Sequence, residues 1–471
     1  MPPVAIASVR NWIGLISGAA RPRDEGQRRY VSVARGALSA LGARGVVFVT
    51  SFVIVPLAVS YLGAERYGAW MTISSALTWL YIADLGVSNG LTNVLAEAFS
   101  QGRADTERRH LATAFWLLVG IALLGGVVLG AAWAWVDWAR LLQLTTETAR
   151  AEVRPALGLA LLIFLLGFPL GIVDRIYSAR QEGALGNLWS VTASVASLLA
   201  VLAATRTRGG LPALVLAISG TRLAVTATGA AWLFWARHPE LRPAPSAFHR
   251  DSVKRLSQSG ALFFVVQIAG LVLFNTDNLI IAGILGARQV TPYSVAWTLF
   301  TWPSLLITLA FPYLWPAYAQ AFARQDFPWI RRAFRLSLAA SLGVTLVLTV
   351  PLVLWGQTII RIWAGEAAVP PFPLLAWMGL WSLVYAGINP VACLLNGASR
   401  LKSQAVFATA SAVVNIGLSV WWARAFGITG VIAATVVSYL LVGAVPIGLE
   451  AWRLLAGLRV ASMNPEPTAR S

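Results

Sequence analysis

The sequence predicts an all-α polytopic membrane protein of about twelve transmembrane helices, set in two six-helix pseudo-repeats around a central cavity. Three observations predict it. Of 471 residues, 58% are hydrophobic and 12% charged, with a mean hydropathy of +0.70, whereas soluble domains carry roughly 25% charged residues. Apolar runs of about 20 residues, enough to cross roughly 30 Å of hydrocarbon, recur along the whole chain. Short motifs of the first half return in the second in the same order.

The elements follow in chain order. Residues 1–35 read as a cytoplasmic N-terminal segment, in which Arg10, Arg21, Arg23, Arg28 and Arg29 follow or interrupt a short apolar patch. That order suits an amphipathic surface helix better than a cleaved signal peptide. A first bundle of six helices occupies residues 36–236, with spans at about 36–59, 68–88, 111–136, 156–176, 185–204 and 212–234. The stretch 237–259 is a cytoplasmic linker whose Pro243 and Pro245 argue against one continuous helix. A second bundle fills 260–450, with spans at about 260–283, 293–317, 334–356, 372–395, 403–423 and 427–449. Residues 451–471 form a cytoplasmic tail.

Charge sets the orientation. A net charge of +17 could signal nucleic acid, but the basic residues sit in short gaps between apolar runs, so no nucleic-acid partner is expected. With the N-terminus inside, about 25 Lys and Arg fall in cytoplasmic segments and about 9 outside, which puts both termini in the cytoplasm of a multi-pass inner-membrane protein.

Several chemistries are excluded. Cys393 is the single cysteine, so neither a disulfide nor a thiolate metal cluster can form within the chain. His110, His238 and His249 lie far apart, and no metal site or other cofactor is expected. No phosphate-binding loop occurs, so nucleotide hydrolysis within the chain cannot drive work. An ion gradient remains, or the membrane potential at about 2.3 kcal/mol per charge per 100 mV. No loop is long enough for a catalytic domain, and no catalytic residue or enzymatic activity is expected.

The repeat rests on named residues. Leu62-Gly63-Ala64 precedes Tyr67 and Trp70 as Leu285-Gly286-Ala287 precedes Tyr293 and Trp297. Thr192-Ala193-Ser194 matches Thr409-Ala410-Ser411, and the same offset carries Gly210 onto Gly427. Parallel six-helix repeats imply a site between the halves and rocking between inward-open and outward-open states.

The stretch from Ala40 to Pro56, Tyr61-Leu62-Gly63, Tyr67-Gly68-Ala69-Trp70, Ala83-Asp84-Leu85-Gly86 and Asn89-Gly90 resembles the opening of bacterial O-antigen and polysaccharide flippases. Thr276-Asp277-Asn278-Leu279-Ile280-Ile281, followed by Leu285-Gly286 and Tyr293-Ser294, resembles the start of their second half. These flippases belong to the multidrug, oligosaccharidyl-lipid and polysaccharide exporter superfamily. The resemblance implies export of a polyprenyl-pyrophosphate-linked oligosaccharide of O-antigen, capsule or exopolysaccharide type, alongside the polymerase or glycosyltransferases of the same pathway. Other readings stay open: an ion-coupled multidrug or metabolite antiporter of the same superfamily, an integral-membrane enzyme of polysaccharide assembly, and a scaffold that recruits pathway enzymes.

Intramembrane charge costs roughly 2.5 to 3.5 kcal/mol on insertion, so charged residues inside spans are functional candidates. Arg44, Arg222 and Asn275 are the candidate substrate-binding residues, because a cavity arginine attracts a pyrophosphate through charge-assisted hydrogen bonds. Asp84 and Asp277 are the candidates for ion or proton coupling. The competing expectation pairs Arg44 with Asp84, and Arg222 with Asp277, as structural ion pairs. Asp174 and Arg175, at a predicted cytoplasmic helix end, read as loop anchors.

Overall fold

A computed structural model describes residues 25–133, 135–308, 311–398 and 400–463, and every regular element among them is a helix. The surface helix expected near the N-terminus falls mostly on residues 1–24, outside the described ones. Eight helical runs among the described residues are long and apolar enough to cross a membrane. Two of these, Ser39–Asp84 with 46 residues and Ser403–Gly457 with 55, would reach about 70 and 80 Å as single helices at 1.5 Å per residue. Each is broken by a glycine with non-helical dihedrals, Gly63 (φ 73°, ψ 171°) and Gly427 (φ 62°, ψ −146°), and so holds two crossings. Gly286, at φ 88°, separates two further crossings.

Among the described residues the twelve helices are α1 (25–62), α2 (64–100), α3 (Ala104–Trp133), α4 (Glu147–Ala179), α5 (Gly183–Ala204), α6 (Gly210–Arg237), α7 (250–285), α8 (Ala287–Thr308 and Phe311–Ala323), α9 (Phe327–Ala364), α10 (Phe372–Gly397), α11 (401–426) and α12 (428–463). The repeat motifs mark matching turns. Gly63 and Gly286 close α1–α2 and α7–α8, Gly210 and Gly427 open α6 and α12, and all four have positive φ, a conformation side chains with Cβ rarely adopt. We call this the turn end of the molecule and the other the linker end.

Several helices outrun their predicted spans. The helix α9 has 38 residues and takes in Arg331, Arg332 and Arg335, because backbone hydrogen bonding continues through the headgroup layer after hydropathy has stopped reporting it. Between α6 and α7 the chain makes two short turns, Pro239–Leu241 and Pro245–Ala247, and helix resumes at Arg250.

Packing differs between the two ends. At the turn end one apolar cluster spans both halves, joining Val59, Tyr67 and Leu157 to Ile281, Tyr293 and Leu375. Toward the linker end it gives way to two separate clusters, one around Leu91, Leu111 and Ile176, the other around Tyr318, Ile330 and Leu394. The halves are thus fused at one end and form separate cores at the other.

Polar contacts also seal the turn end. The Ala287 amide donates to Leu142 O (3.1 Å), Trp363 Nε1 to Phe52 O (3.0 Å) and Asn278 Nδ2 to Ser75 Oγ (2.9 Å). The closest approach is at Gly68, where a Cβ would overlap the Ala287 carbonyl oxygen and crowd Thr291. At the linker end, the first half of α7 leans on the first bundle. Arg255 holds Glu97 through both carboxylate oxygens (2.9 and 2.8 Å), and Leu256 joins the first bundle's core.

A second lattice ties α3, α4 and α6 together at that end. Glu107, almost fully buried, accepts from Arg180 Nε (2.8 Å) and Nη2 (2.9 Å). His238 lies between Glu182 (3.2 Å) and Glu240 (3.0 Å), with its Nδ1 2.7 Å from Arg180 Nη1. Burial works against the charge on Arg180, but its contacts with Glu107 and Glu240 carry its pKa above the ordinary value. Burial likewise opposes ionisation of Glu240, yet its own amide, His238 and Arg180 hold the carboxyl below the usual range.

Candidate functional site

The first bundle borders an open cavity of about 310 Å³ between α2, α4 and α6. Its polar lining is Thr78, Tyr81, Asp174, Ser219, Arg222 and Thr226, and the rest is apolar. The Tyr81 ring forms part of one wall, edge-on to Phe164 with centroids 4.9 Å apart.

All three lining helices abandon α geometry beside the cavity. The first, α2, changes to a 3-10 turn at Tyr81–Asp84, takes left-handed dihedrals at Leu85 and Gly86, and restarts at Val87. Next, α4 passes through a 3-10 turn at Phe168–Gly171, where Pro169 has no amide to donate. Finally, α6 widens to a π turn at Leu216–Gly220, one residue before Thr221 and Arg222, and Ser197 Oγ donates to the Ile218 carbonyl in it (3.3 Å). Irregular backbone at membrane depth is tolerated where it is buried in protein or lines a water-filled cavity, and π turns gather at functional sites. All three breaks thus border the same cavity.

Arg222 follows the Gly210 turn by about 18 Å of helix, which puts it near mid-depth. It is exposed and forms no ion pair among the described residues, although its charge reaches Asp174 and Tyr81. The expected pairing with Asp277 does not form. Asp174, read from the sequence as a loop anchor, lines the cavity with Arg222. Its signal was the Gly167-Phe168-Pro169-Leu170-Gly171 run just before it, which breaks the helix and aims the next turn inward.

Arg44 is exposed on α1, about 28 Å from the Gly63 turn and so close to the linker-side membrane boundary. It forms no ion pair with Asp84. Asp84 is buried and accepts from the Ser88 amide (3.0 Å to one oxygen, 3.2 Å to the other) and from Ser88 Oγ (3.1 Å). It therefore caps the restarted half of α2. Across the gap, Asn89 Nδ2 meets Gln267 Oε1 at 3.4 Å and joins α2 to α7.

Asp277 lies in the second half, about 14 Å from the Gly286 turn, where α7 is interrupted at Thr276. Asn275, half-buried, ends the preceding helical segment. The Asp277 carboxylate accepts a hydrogen bond from Tyr293 OH and is flanked by Thr435, while its Oδ1 has no hydrogen-bond partner among the described residues. Asn415 Nδ2 donates to Thr435 Oγ1 (3.0 Å), leaving Asn415 Oδ1 unpartnered as well. Ser411, Asn415 and Ser419 recur every fourth residue along one face of α11, and both serine hydroxyls are buried without partners. Sequence reasoning found Asp277 but not this oxygen-rich stripe, because isolated Ser, Asn and Thr in apolar runs carry no signal until two helices bring them together.

Arg222 and Asp277 thus sit at similar depth in different bundles, one beside a cavity and one in a closed polar seam.

The family described as "Polysaccharide biosynthesis protein" matches residues 33–322, more than half of the chain. A Salmonella typhimurium protein named "Putative O-antigen transporter" is 20% identical over 388 residues, covering 81% of this chain and 88% of that one. Among solved structures, an inward-facing multidrug resistance MATE family transporter of the MOP superfamily superposes with a TM-score of 0.76 at 12% identity, over 90% of this chain and 99% of that one. An outward-facing transporter of the same description gives 0.61 at 13% identity, over 91% and 96%. A MOP superfamily transporter from Pyrococcus furiosus gives 0.59 at 12% identity, over 95% and 98%. The chain therefore belongs to the polysaccharide biosynthesis protein family and carries it on the twelve-helix fold of the MOP superfamily transporters.

Proposed function

We propose that this protein turns a polyprenyl-pyrophosphate-linked oligosaccharide from the cytoplasmic to the periplasmic leaflet of a bacterial inner membrane by alternating access. The observation that carries the reading is the Arg222 cavity: an unpaired guanidinium at mid-depth, among three helices that each break beside it. A guanidinium in that setting recognises phosphate oxygens through charge-assisted, often bidentate hydrogen bonds. The positive-inside bias puts the linker end in the cytoplasm, so the fused turn end is the periplasmic gate and the separate cores diverge toward the cytoplasmic entrance.

In this reading Arg44 receives the headgroup at the cytoplasmic boundary and Arg222 holds it at mid-depth, with Asn275, at the break in α7, as a further polar contact. The Asp277 seam binds the coupling proton or cation, since its unpartnered oxygens leave one positive charge's worth of coordination open. Asp84, engaged in capping, couples by holding the α2 break in place. A polymerase or glycosyltransferases of the same pathway act as neighbours. The drug-exporter alternative shares the fold, and the cavity carries one group of each sign, Arg222 and Asp174.

Deleting the gene and analysing polyprenyl-linked glycans on each face of the inner membrane tests the reading. A pyrophosphate-linked oligosaccharide should accumulate on the cytoplasmic side while surface polysaccharide disappears. Arg222→Ala should reproduce that phenotype at normal protein abundance; wild-type surface glycan in this variant would remove the binding role.

A further inference from the structure

A second cavity lies between the linker ends of α9 and α12. It measures about 570 Å³ and is lined by Pro328, Arg331, Phe334, Arg335, Trp452 and Leu455. Arg331 and Arg335 stand one turn apart on α9 and reach the groove from the same face. None of its lining residues, among the described ones, is acidic.

Its position relative to the membrane follows from the two helices that form it. Apolar sequence on α9 begins with Leu336, itself exposed, directly after Arg335. On α12, running the opposite way, exposed Leu449 lies one turn deeper than exposed Trp452. The groove therefore opens at headgroup level, with guanidinium groups on one wall, an indole on the other, and apolar side chains leading toward the hydrocarbon. Arg332 and Arg453, each next in sequence to a lining residue, are both exposed. Tryptophan prefers this layer, and basic pockets between helices at the cytoplasmic side bind anionic lipid headgroups.

We infer that this groove is a binding site for an anionic glycerophospholipid of the linker-side leaflet, with its phosphodiester on Arg335 and its acyl chains along Leu336 and Leu449. A volume of 570 Å³ lies within the roughly 300–1,000 Å³ of small-molecule sites. The inference is independent of the transport reading, because the groove shares no lining residue with the Arg222 cavity.

The test uses the purified full chain, delipidated in detergent and titrated with short-chain phosphatidylglycerol, phosphatidylcholine or inorganic phosphate. Thermal unfolding and native mass spectrometry provide the readouts. Phosphatidylglycerol should raise the melting temperature and remain bound, whereas phosphatidylcholine and inorganic phosphate should do neither. Arg335→Gln, at an exposed position, should weaken phosphatidylglycerol binding about fivefold, Trp452→Ala should shorten its retention, and Arg237→Gln, remote from the groove, should leave it unchanged. Equal binding of both lipids, stabilisation by inorganic phosphate alone, or full binding by Arg335→Gln would each overturn the inference. So would a phosphatidylglycerol effect that emerges only after residues 464–471 are deleted, since the groove would then belong to the chain's own tail.

Discussion

Substituting Gly68 by alanine should open the turn end of this protein. In the structure a Cβ on Gly68 collides with the Ala287 carbonyl oxygen, while the Thr291 hydroxyl lies 3.2 Å from the same point. Neither obstacle is the far end of a flexible side chain that could swing aside. Ala287 is itself pinned, its amide donating to Leu142 O across the interface. Overpacking of this kind costs about 1–3 kcal/mol, and backbone meeting backbone belongs at the upper end. A penalty of about 3 kcal/mol applied only to the sealed state shifts the equilibrium against it by roughly 150-fold. Spin labels on cysteines replacing the exposed Glu147 and Arg288, in a Cys393→Ala background, would report the gap directly. The Gly68→Ala variant should lengthen the mean distance by several ångströms and stall transport at undiminished protein abundance. Gly120→Ala is the control, since nothing lies within 4 Å of its Cβ position; it should be neutral or stabilise by about 0.5–1 kcal/mol. An unchanged label distance together with normal transport in Gly68→Ala would refute the gate.

Three further outcomes are expected. Glu107→Gln removes the partner of the buried Arg180 and should cost about 3 kcal/mol in detergent denaturation, whereas Glu97→Gln, in an exposed pair with Arg255, should cost no more than about 1 kcal/mol. Glu240 has a folded-state pKa below its ordinary 4.5, so its contribution to stability is complete above that value and disappears as acidification passes through the lower folded value. Thermal unfolding between about pH 3 and 6 should therefore be less pH-dependent in Glu240→Gln than in the parent, and identical slopes would disprove the contact. Asp277→Asn should keep the fold, because Tyr293 can still donate to an amide oxygen, yet lose the acceleration that an ion gradient confers; equal rates in energised and de-energised vesicles before the substitution would dismiss coupling at this residue.

Much of the architecture was legible because a bilayer is a demanding solvent. Every crossing must carry its own backbone hydrogen bonds and about twenty apolar residues, so helices and their number follow from hydropathy alone. The repeat was legible at its turns, since Gly63, Gly210, Gly286 and Gly427 occupy backbone conformations that tolerate little else. Length was less so: the aromatic and basic ends of α9 and α12 carry helix beyond the hydrocarbon, where hydropathy falls silent.

Charge inside the spans singled out Arg222 and Asp277 for a sound reason, the cost of burying ions in hydrocarbon. What each one touches was beyond the reach of sequence, because partners hundreds of residues apart are chosen by packing. Asp84 turned to Ser88 and a helix cap, Asp174 joined Arg222, and Asp277 found Tyr293 and Thr435 rather than an arginine. The helical crossings, their repeat and the family resemblance were thus determined by the sequence itself, through the local physics of an apolar solvent. The cavity, the close contact at Gly68 and the polar seam were decided only by tertiary structure, because each is made of groups that carry no common signal until separate helices bring them face to face.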